Sequence, residues 1–470
     1  MIVRVLWSSC FGALLSSCSA VGPDYSPPTL RLPVAWQTPI AAELTAGPPA
    51  TDSWWSGFAD PLLDDLIVTA LQQNLDLRAA VLRLDGARAQ RGIAAADRLP
   101  TVDTNASYTY RDESRNTPFG AFIPRTDIHS ATFDAVWELD LWGRVRRSVE
   151  AADAQLEASE FDLQAAALTV AAEVTRTYVD LRAAQRRLAI AQSNLALQEQ
   201  TLALVEARLG AGLAVERDIA QARTNVETTR SRLPQFEAAT SVARNRLAVL
   251  LGTTAQSLPA TLDGAAPLPR LPESIAIGAP ADLLRRRPDV HRAERVFAAQ
   301  VARIGVAEAE RYPTFSLSGQ IGLAANTARD WIDEKSDLYG FGPSLRWNLF
   351  DGGRLRNRIA SLEAEAEAAQ VAWEQTVLLA VEETENALAR YVREKVRRES
   401  LSRAAQEARR AVDLARTQYR EGLTDFQAVL DSERVVATIE DDLASSDATV
   451  ATELIALFKA LGGGLPARGE

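Results

Sequence analysis

Histidine, cysteine and methionine are almost missing from this chain: two, two and one in 470 residues. With so few imidazoles and thiols, metal ligation and general-base chemistry would rest on Asp and Glu alone. No Gly-rich phosphate loop, nucleophile–base pair or metal-ligand cluster stands in the sequence, so an enzyme has no support. Both cysteines, Cys10 and Cys18, fall within the first eighteen residues, which excludes a disulfide framework. The formal charge of −11 and pI near 5.1 exclude nucleic acid as a partner, because phosphate binding needs a concentrated basic face. No later segment offers about 20 consecutive apolar residues, which excludes a transmembrane helix. A chain of this kind that spans a membrane must do so with strands.

What is present begins at the N-terminus. Arg4 precedes an apolar stretch from Val5 to Leu15, followed by Leu15-Ser16-Ser17-Cys18. This pattern reads as a bacterial secretory signal ending in a lipobox, with small residues where the signal peptidase needs narrow side chains. Cys18 is then the expected lipidation site and mature first residue, carrying diacylglycerol on sulfur and an acyl group on its amine. At about 0.8 kcal/mol per buried methylene, several acyl chains hold such a terminus firmly. Ser19, rather than Asp, follows the cysteine and suits export to the outer membrane. Cys10 is the weaker candidate because Trp7 would occupy the bulky position.

The chain also repeats itself. Trp137 aligns with Trp347, Gly143-Arg144 with Gly353-Arg354, Gly212-Leu213 with Gly422-Leu423, and Leu251-Gly252 with Leu461-Gly462, always 210 residues apart. A constant offset over more than a hundred residues points to duplication without insertion.

Each repeat holds two strand-like segments: 101–111 and 130–142 in the first, 314–323 and 339–350 in the second. Phe133, Ala135, Trp137, Leu139 and Leu141 alternate with Thr132, Asp134, Glu138 and Asp140, with Val136 out of phase. Phe315, Leu317, Gly319, Ile321 and Leu323 alternate with Ser316, Ser318 and Gln320, and Leu345, Trp347 and Leu349 with Ser344, Arg346 and Asn348. Segment 101–111 is weaker, with Val102, Ala106, Tyr108 and Tyr110 on one parity. Ten-residue strands with one apolar and one polar face match an outer-membrane barrel, although a half-buried soluble sheet alternates in the same way. Four strands cannot close a membrane barrel, which needs about eight, and open edges in lipid leave backbone groups unpaired. The chain is therefore expected to oligomerise, and three copies would supply twelve strands.

After each strand pair come more than sixty residues without proline, enough for a helix roughly 100 Å long. Leu181, Leu188, Leu195, Leu202 and Leu209 recur every seventh residue, with Ala184, Ala191 and Val205 three positions later. The return segments carry Ile219, Val226, Leu233 and Leu247, and Val429, Val436, Leu443, Val450 and Leu457. Such a repeat winds neighbouring helices into a coiled coil. The helices turn at Leu209-Gly210-Ala211-Gly212-Leu213 and at Tyr419-Arg420-Glu421-Gly422-Leu423. Pro234 should kink the first return helix, with no counterpart in the second. Shorter Ala-rich helices open the repeats, with Asp76 and Asp289 expected as their capping residues. The run Arg285-Arg286-Arg287 reads as structural salt links rather than a headgroup patch.

With the lipobox, Val21-Gly22-Pro23-Asp24-Tyr25, and Asp282-Leu283-Leu284-Arg285-Arg286-Arg287-Pro288-Asp289-Val290 in view, the chain resembles the TolC/OprM outer-membrane efflux family, in its NodT-like lipoprotein branch. The resemblance covers nearly the whole mature chain. It implies a mainly α homotrimer whose twelve-stranded transmembrane β-barrel continues into a twelve-helix coiled-coil α-barrel, in the outer membrane and extending into the periplasm. It further implies an exit duct for small molecules, fed by an inner-membrane transporter of the resistance-nodulation-division type through a periplasmic adaptor. Gly210, Gly212, Leu213, Gly422 and Leu423 would be the adaptor-contacting tips. Tyr419 and Asp431, twelve residues apart, fit the family's pore constriction. Three Asp431 carboxylates would make a cation-favouring ring, weakened because Ala428 stands where some relatives carry a second Asp. No cofactor is expected beyond the lipid on Cys18.

The expected organisation is a signal peptide (1–17), a lipid-anchored extended segment (18–60), a first repeat (61–252; β-hairpin 101–142, helical hairpin 143–252), a linker (253–280), a second repeat (281–462; β-hairpin 314–350, helical hairpin 353–462) and a tail (463–470). Two other readings stay open: an exit duct for type I protein secretion, and a periplasm-spanning scaffold without a pore. For the anchor, Cys18→Ser is expected to abolish incorporation of labelled palmitate while Cys10→Ser leaves it intact; label retained in Cys18→Ser would refute the assignment.

Overall fold

In the computed structural model, residues 20–39, 43–45, 47, 53–118, 122 and 124–463 are described. Cys10, Cys18 and residues 464–470 lie outside them. Four strands, β1 (Thr101–Arg111), β2 (Thr126–Leu139), β3 (Thr314–Ala325) and β4 (Asp337–Arg346), form one antiparallel sheet in the order β1-β2-β3-β4. The longer helices are α1 (Pro61–Gln73), α2 (Leu75–Ala96), α3 (Arg144–Gly210), α4 (Glu216–Arg230), α5 (Leu233–Leu250), α6 (Pro288–Ala309), α7 (Arg354–Arg420) and α8 (Phe426–Ala460). Among the described residues no helix is long and apolar enough to cross a membrane.

The chain divides into two compact units. One joins residues 1–29, 83–160 and 292–373, and so contains the sheet; the other joins 30–82, 161–291 and 374–470.

In the sheet unit, β2 starts at Thr126, earlier than the apolar alternation, because backbone pairing continues to Arg111↔Thr126 beyond the apolar stripe. It ends at Leu139 rather than 142. Leu141 N–H turns back to Leu139 O at 2.8 Å, and the Asp140 carboxylate then accepts from Val145 and Arg146 N–H to start α3. At the far end β4 stops at Arg346, short of the expected 350, because Asp351 caps α7 through the N–H groups of Gly353 and Leu355 at 2.8 Å. Trp137 and Trp347 play one part in both halves: their indoles donate to Arg98 O and Arg311 O at 3.0 and 3.1 Å. The strap Val21–Tyr25 is pinned to this unit by buried Arg147, which donates to Val21 O and Gly22 O and ion-pairs with Asp24 at 2.6 Å. Gly22 and Gly305 touch so closely that a Cβ on Gly22 would lie 2.5 Å from Gly305 Cα. Tyr25 donates to Glu294, and burial followed by that carboxylate pushes its hydroxyl pKa up.

In the helical unit, Trp54 stacks on Phe458 at 5.2 Å, with Phe58 edge-on to both. This aromatic cluster closes the C-terminal end of α8. Arg182, fully buried, donates to Gly264 O and Thr261 O and so fastens the linker to α3. Arg287 is also buried, pairs with Asp289 and Glu383, and donates to Ala460 O at 2.9 Å. Of the arginine run, Arg287 thus takes the salt-link role.

Two capping assignments need correction. Asn74, not Asp76, caps α2: its Oδ1 accepts from Asp76 and Leu77 N–H while its Nδ2 donates to Leu250 O. The cap must stand outside the helix, and Asn74 has the extended backbone of such a position whereas Asp76 is already helical. Asp289 lies inside α6 and is held mainly by Arg287, bonding only the N–H of its neighbour Val290. Pro234 does more than kink the first return helix. It sits in the first turn of α5, and the chain is broken at Ser231-Arg232, whereas α8 runs unbroken. Asn74→Ala is expected to lower stability by about 1–3 kcal/mol, cap and Leu250 contact together. Asp76→Ala should stay within about 0.5 kcal/mol. Thermal melts of the two variants followed by circular dichroism check the contrast.

Candidate functional site

The two helical turns are built alike. α3 ends in a bond from Leu213 N–H to Arg208 O at 2.8 Å with Gly212 at φ +74°; α7 ends in a bond from Leu423 N–H to Gln418 O at 2.8 Å with Gly422 at φ +75°. Each glycine thus supplies the left-handed residue that a Schellman stop requires. Gly210 does not: it is the last helical residue and has no positive φ. Leu213 and Leu423 are 66% and 78% exposed, so each turn presents an uncovered apolar side chain.

Behind these turns Tyr419 is buried with Val205, Ile219, Ala222, Phe426, Val429 and Leu430. The Arg208 guanidinium lies 4.5 Å from the centre of its ring and donates to Tyr419 O at 2.5 Å and Arg420 O at 3.3 Å. A cation thereby meets the orphan carbonyls at the negative end of the α7 dipole. Burial raises the Tyr419 pKa, opposed by Arg208, and its hydroxyl has no hydrogen-bond partner among the described residues. Asp431 is different. It is exposed on α8 and accepts from Gln427 Nε2 at 2.8 Å. The two sequence-predicted gate residues therefore sit in different surroundings within one chain, and no bond joins them.

Sequence reasoning missed a polar ladder inside the helical unit. Glu433, buried on α8, accepts from Thr201 on α3 at 2.6 Å, from Asn225 on α4 at 3.2 Å and from Arg416 on α7 at 2.8 Å. One heptad further along, Glu440 accepts from Arg409 at 2.6 Å and Asn194 at 3.2 Å. After another heptad, Asp447 takes Arg398 at 2.7 Å and Arg186 at 3.4 Å. The seam of α3 is correspondingly polar: Asn194, Gln198 and Thr201 are buried while Leu188, Leu195 and Leu202 are half-buried. Leu181 and the expected Ala184, Ala191 and Val205 are buried, but from Leu188 to Leu209 the heptad leucines flank the contact rather than fill its centre. The signal was available, since Glu433, Glu440 and Asp447 share the seven-residue spacing of the α8 valines.

Cross-strand register sorts the sheet into two faces. Val102, Tyr108, Tyr110, Phe133, Trp137, Leu317, Ile321, Tyr339, Phe341 and Leu345 share one; Asp103, Asn105, Ser107, Thr132, Asp134, Glu138, Ser316, Ser318, Gln320 and Ser344 share the other. Val136, Ile128 and Leu338 are the apolar exceptions on the polar face. The apolar face is exposed at Tyr108, Phe133, Ile321, Tyr339 and Phe341. Asp134 on the polar face accepts from Gln320 and Thr132, and Ser107 bonds Ser130.

Strands with this two-faced pattern, in a chain that also folds back on itself through 67-residue helices, define the outer-membrane channel class. The family model for outer membrane efflux proteins matches residues 66–253 and 279–463, and the chain belongs to that family. It is 33% identical over 459 residues to nodulation protein T of Rhizobium leguminosarum bv. viciae, covering 97% of this chain and 92% of that protein. It is 34% identical to the pyoverdine export outer membrane protein OpmQ of Pseudomonas putida, over 93% and 94% of the two chains. The solved outer-membrane channel OprN superposes with a TM-score of 0.88 at 37% identity, over 94% of this chain and 99% of that one. The protein is an outer-membrane protein of the TolC-like type.

Within the ladder, Glu433→Ala strands Arg416 and Asn225 and is expected to cost about 2–4 kcal/mol. Glu440→Ala, with a more open arginine partner, should cost about 1 kcal/mol. Thermal melts of helical ellipticity and the rate of protease nicking between α7 and α8 would read the difference.

Proposed function

We propose that the chain is the outer-membrane exit duct of a tripartite efflux system, conducting small molecules passively from a periplasmic adaptor and an inner-membrane transporter of the resistance-nodulation-division type to the exterior. The observation that carries this reading is the sheet. It has one apolar and one polar face, and β1 and β4 are left as unpaired edges. In a bilayer each unpaired backbone group costs several kcal/mol, so β1 of one copy pairs with β4 of the next until the sheet closes. Three copies give twelve strands with tyrosines and phenylalanines toward lipid and serines, threonines and aspartates toward the lumen. The two matches of the family model within one chain support the two-repeat organisation.

The efflux role also draws on the relatives, among which a pyoverdine export protein is named as such. Leu213 and Leu423, uncovered at the two turns, suit contact with an adaptor, and Gly212 and Gly422 shape those turns. Gly210 would contribute by leaving its surface free of a side chain. Lipid on Cys18 adds a tether. Tyr419 and Asp431 form the constriction at the helical end, Tyr419 by bracing the tip core and Asp431 by lining the opening.

Detergent-solubilised protein is expected to be trimeric and to conduct ions in a planar bilayer. A stable, non-conducting monomer would refute the duct and favour a scaffold, and co-purification with a type I secretion transporter would favour protein export. Asp431→Ala should raise single-channel conductance, and Tyr419→Phe should do so too if its hydroxyl contributes across the trimer; unchanged conductance in both removes them from the gate.

A further inference from the structure

The two hairpins of the sheet share one internal register. Thr101 faces Val136 in the first and Thr314 faces Arg346 in the second, so the strands that open the hairpins correspond at a spacing of 213 residues and those that close them at 210. The same 210 separates Trp137 from Trp347, whose indoles make equivalent bonds. Between the hairpins β2 pairs with β3, where Asp134 faces Gln320, Val136 faces Ser318 and Glu138 faces Ser316. By the same spacings β4 is the counterpart of β2, and β1 of β3. These two counterparts are the outer strands of the sheet.

Carrying the β2–β3 register over to an edge contact between copies sets every pair. Ser344 falls opposite Ser107, Arg346 opposite Asn105, and Asn348, just past the end of β4, opposite Asp103, all on the polar face. Arg346 then lies one diagonal step from Asp103, a separation of about 7–8 Å that an arginine side chain spans. The charges agree with this placement. In its own chain Asp103 faces Asp134, and like charges directly opposite destabilise a sheet. Arg346 faces Thr314 in its own chain. At the β2–β3 contact the two corresponding positions hold Val136 and Ser316, both neutral. Opposite charges thus stand where copies would meet, and neutral residues where one chain pairs with itself.

We infer that β4 of one copy meets β1 of the next in the β2–β3 register, and that Arg346 of each copy ion-pairs there with Asp103 of its neighbour. This rests on the reading of the sheet as part of a closed barrel and deepens it by naming the side chains through which copies recognise one another. The acidic pair Asp103–Asp134 is incomplete in a single chain, and the neighbouring copy supplies its cation. A guanidinium offers several donors in a fixed fork, so it suits two carboxylates lying side by side. The apolar face already forbids a slip of one residue, because that would turn every side chain over. A slide of two residues keeps the faces intact. Side-chain pairs such as Arg346 with Asp103 are therefore what select among the slides that backbone pairing allows.

Disulfide trapping in the full assembled protein tests the register. Ser344→Cys combined with Ser107→Cys is expected to link copies covalently on mild oxidation, because directly opposite residues lie about 4.5–5.5 Å apart between Cα atoms, within disulfide reach. Ser344→Cys combined with Asn105→Cys, or with Thr109→Cys, samples a slide of two residues in either direction and should link about fivefold less. Preferential linking in a slid pair, or no link in any of the three, overturns the register. For the ion pair, Arg346→Gln and Asp103→Asn are each expected to lower the temperature at which the trimer dissociates in detergent by about 2–4 °C, and the double variant by no more than either alone. Additive losses, or none, overturn the pair. A conducting trimer that links in a slid register refutes this pairing and leaves the duct standing, whereas a stable, non-conducting monomer refutes the duct itself.

Discussion

A strand edge is a row of backbone donors and acceptors with nowhere to go, and in lipid no water can satisfy them. The sheet has two such edges, on β1 and β4. This constraint organises the rest of the proposed assembly. It requires copies to meet edge to edge, sets the apolar stripe outward, and leaves the polar residues of β1–β4 lining what is enclosed. α3 and α7 each begin within a few residues of a strand end, at Arg144 and Arg354.

Away from the sheet a different physics holds the helices together. An apolar coiled-coil seam is tolerant of register, because one leucine packs much like the next. The rungs at Glu433, Glu440 and Asp447 are not tolerant: each acid meets an arginine of α7 and a polar or basic side chain of α3 at hydrogen-bonding distance. Slippage by a turn would leave buried charges without partners, at a cost of several kcal/mol. Buried polar groups thus specify which helix lies against which, while alanines allow the close approach. Arg208 extends the same device to the tip, where it ties the end of α3 to the last carbonyls of α7.

The two halves of the chain are alike in some places and differ in others. Pro234 breaks the first return helix while α8 stays whole, and Asn348 and Phe350 replace the acids Glu138 and Asp140. Trp137 and Trp347 keep the same bond, and Gly212 and Gly422 the same φ. Backbone-determined features were retained, and side-chain charge was free to change.

The strand phases, the long helices and the glycine turns were legible in the sequence because each depends on local periodicity or on one residue's conformational freedom. Strand ends were less so: Leu141 and Leu349 keep the alternation going, yet Asp140 and Asp351 cap helices and cut the strands short. The same limit applies to Asn74, whose capping role over Asp76 depends on where α2 begins and on the Leu250 carbonyl, 176 residues away. Tyr419 and Asp431 were placed by their spacing, but only packing put the first in the tip core and left the second exposed. Periodicity determines which face of a strand or helix is apolar, since it is written in neighbouring residues. Which polar groups that face encloses is decided by partners hundreds of residues distant, because a hydrogen bond is satisfied in space and not along the chain.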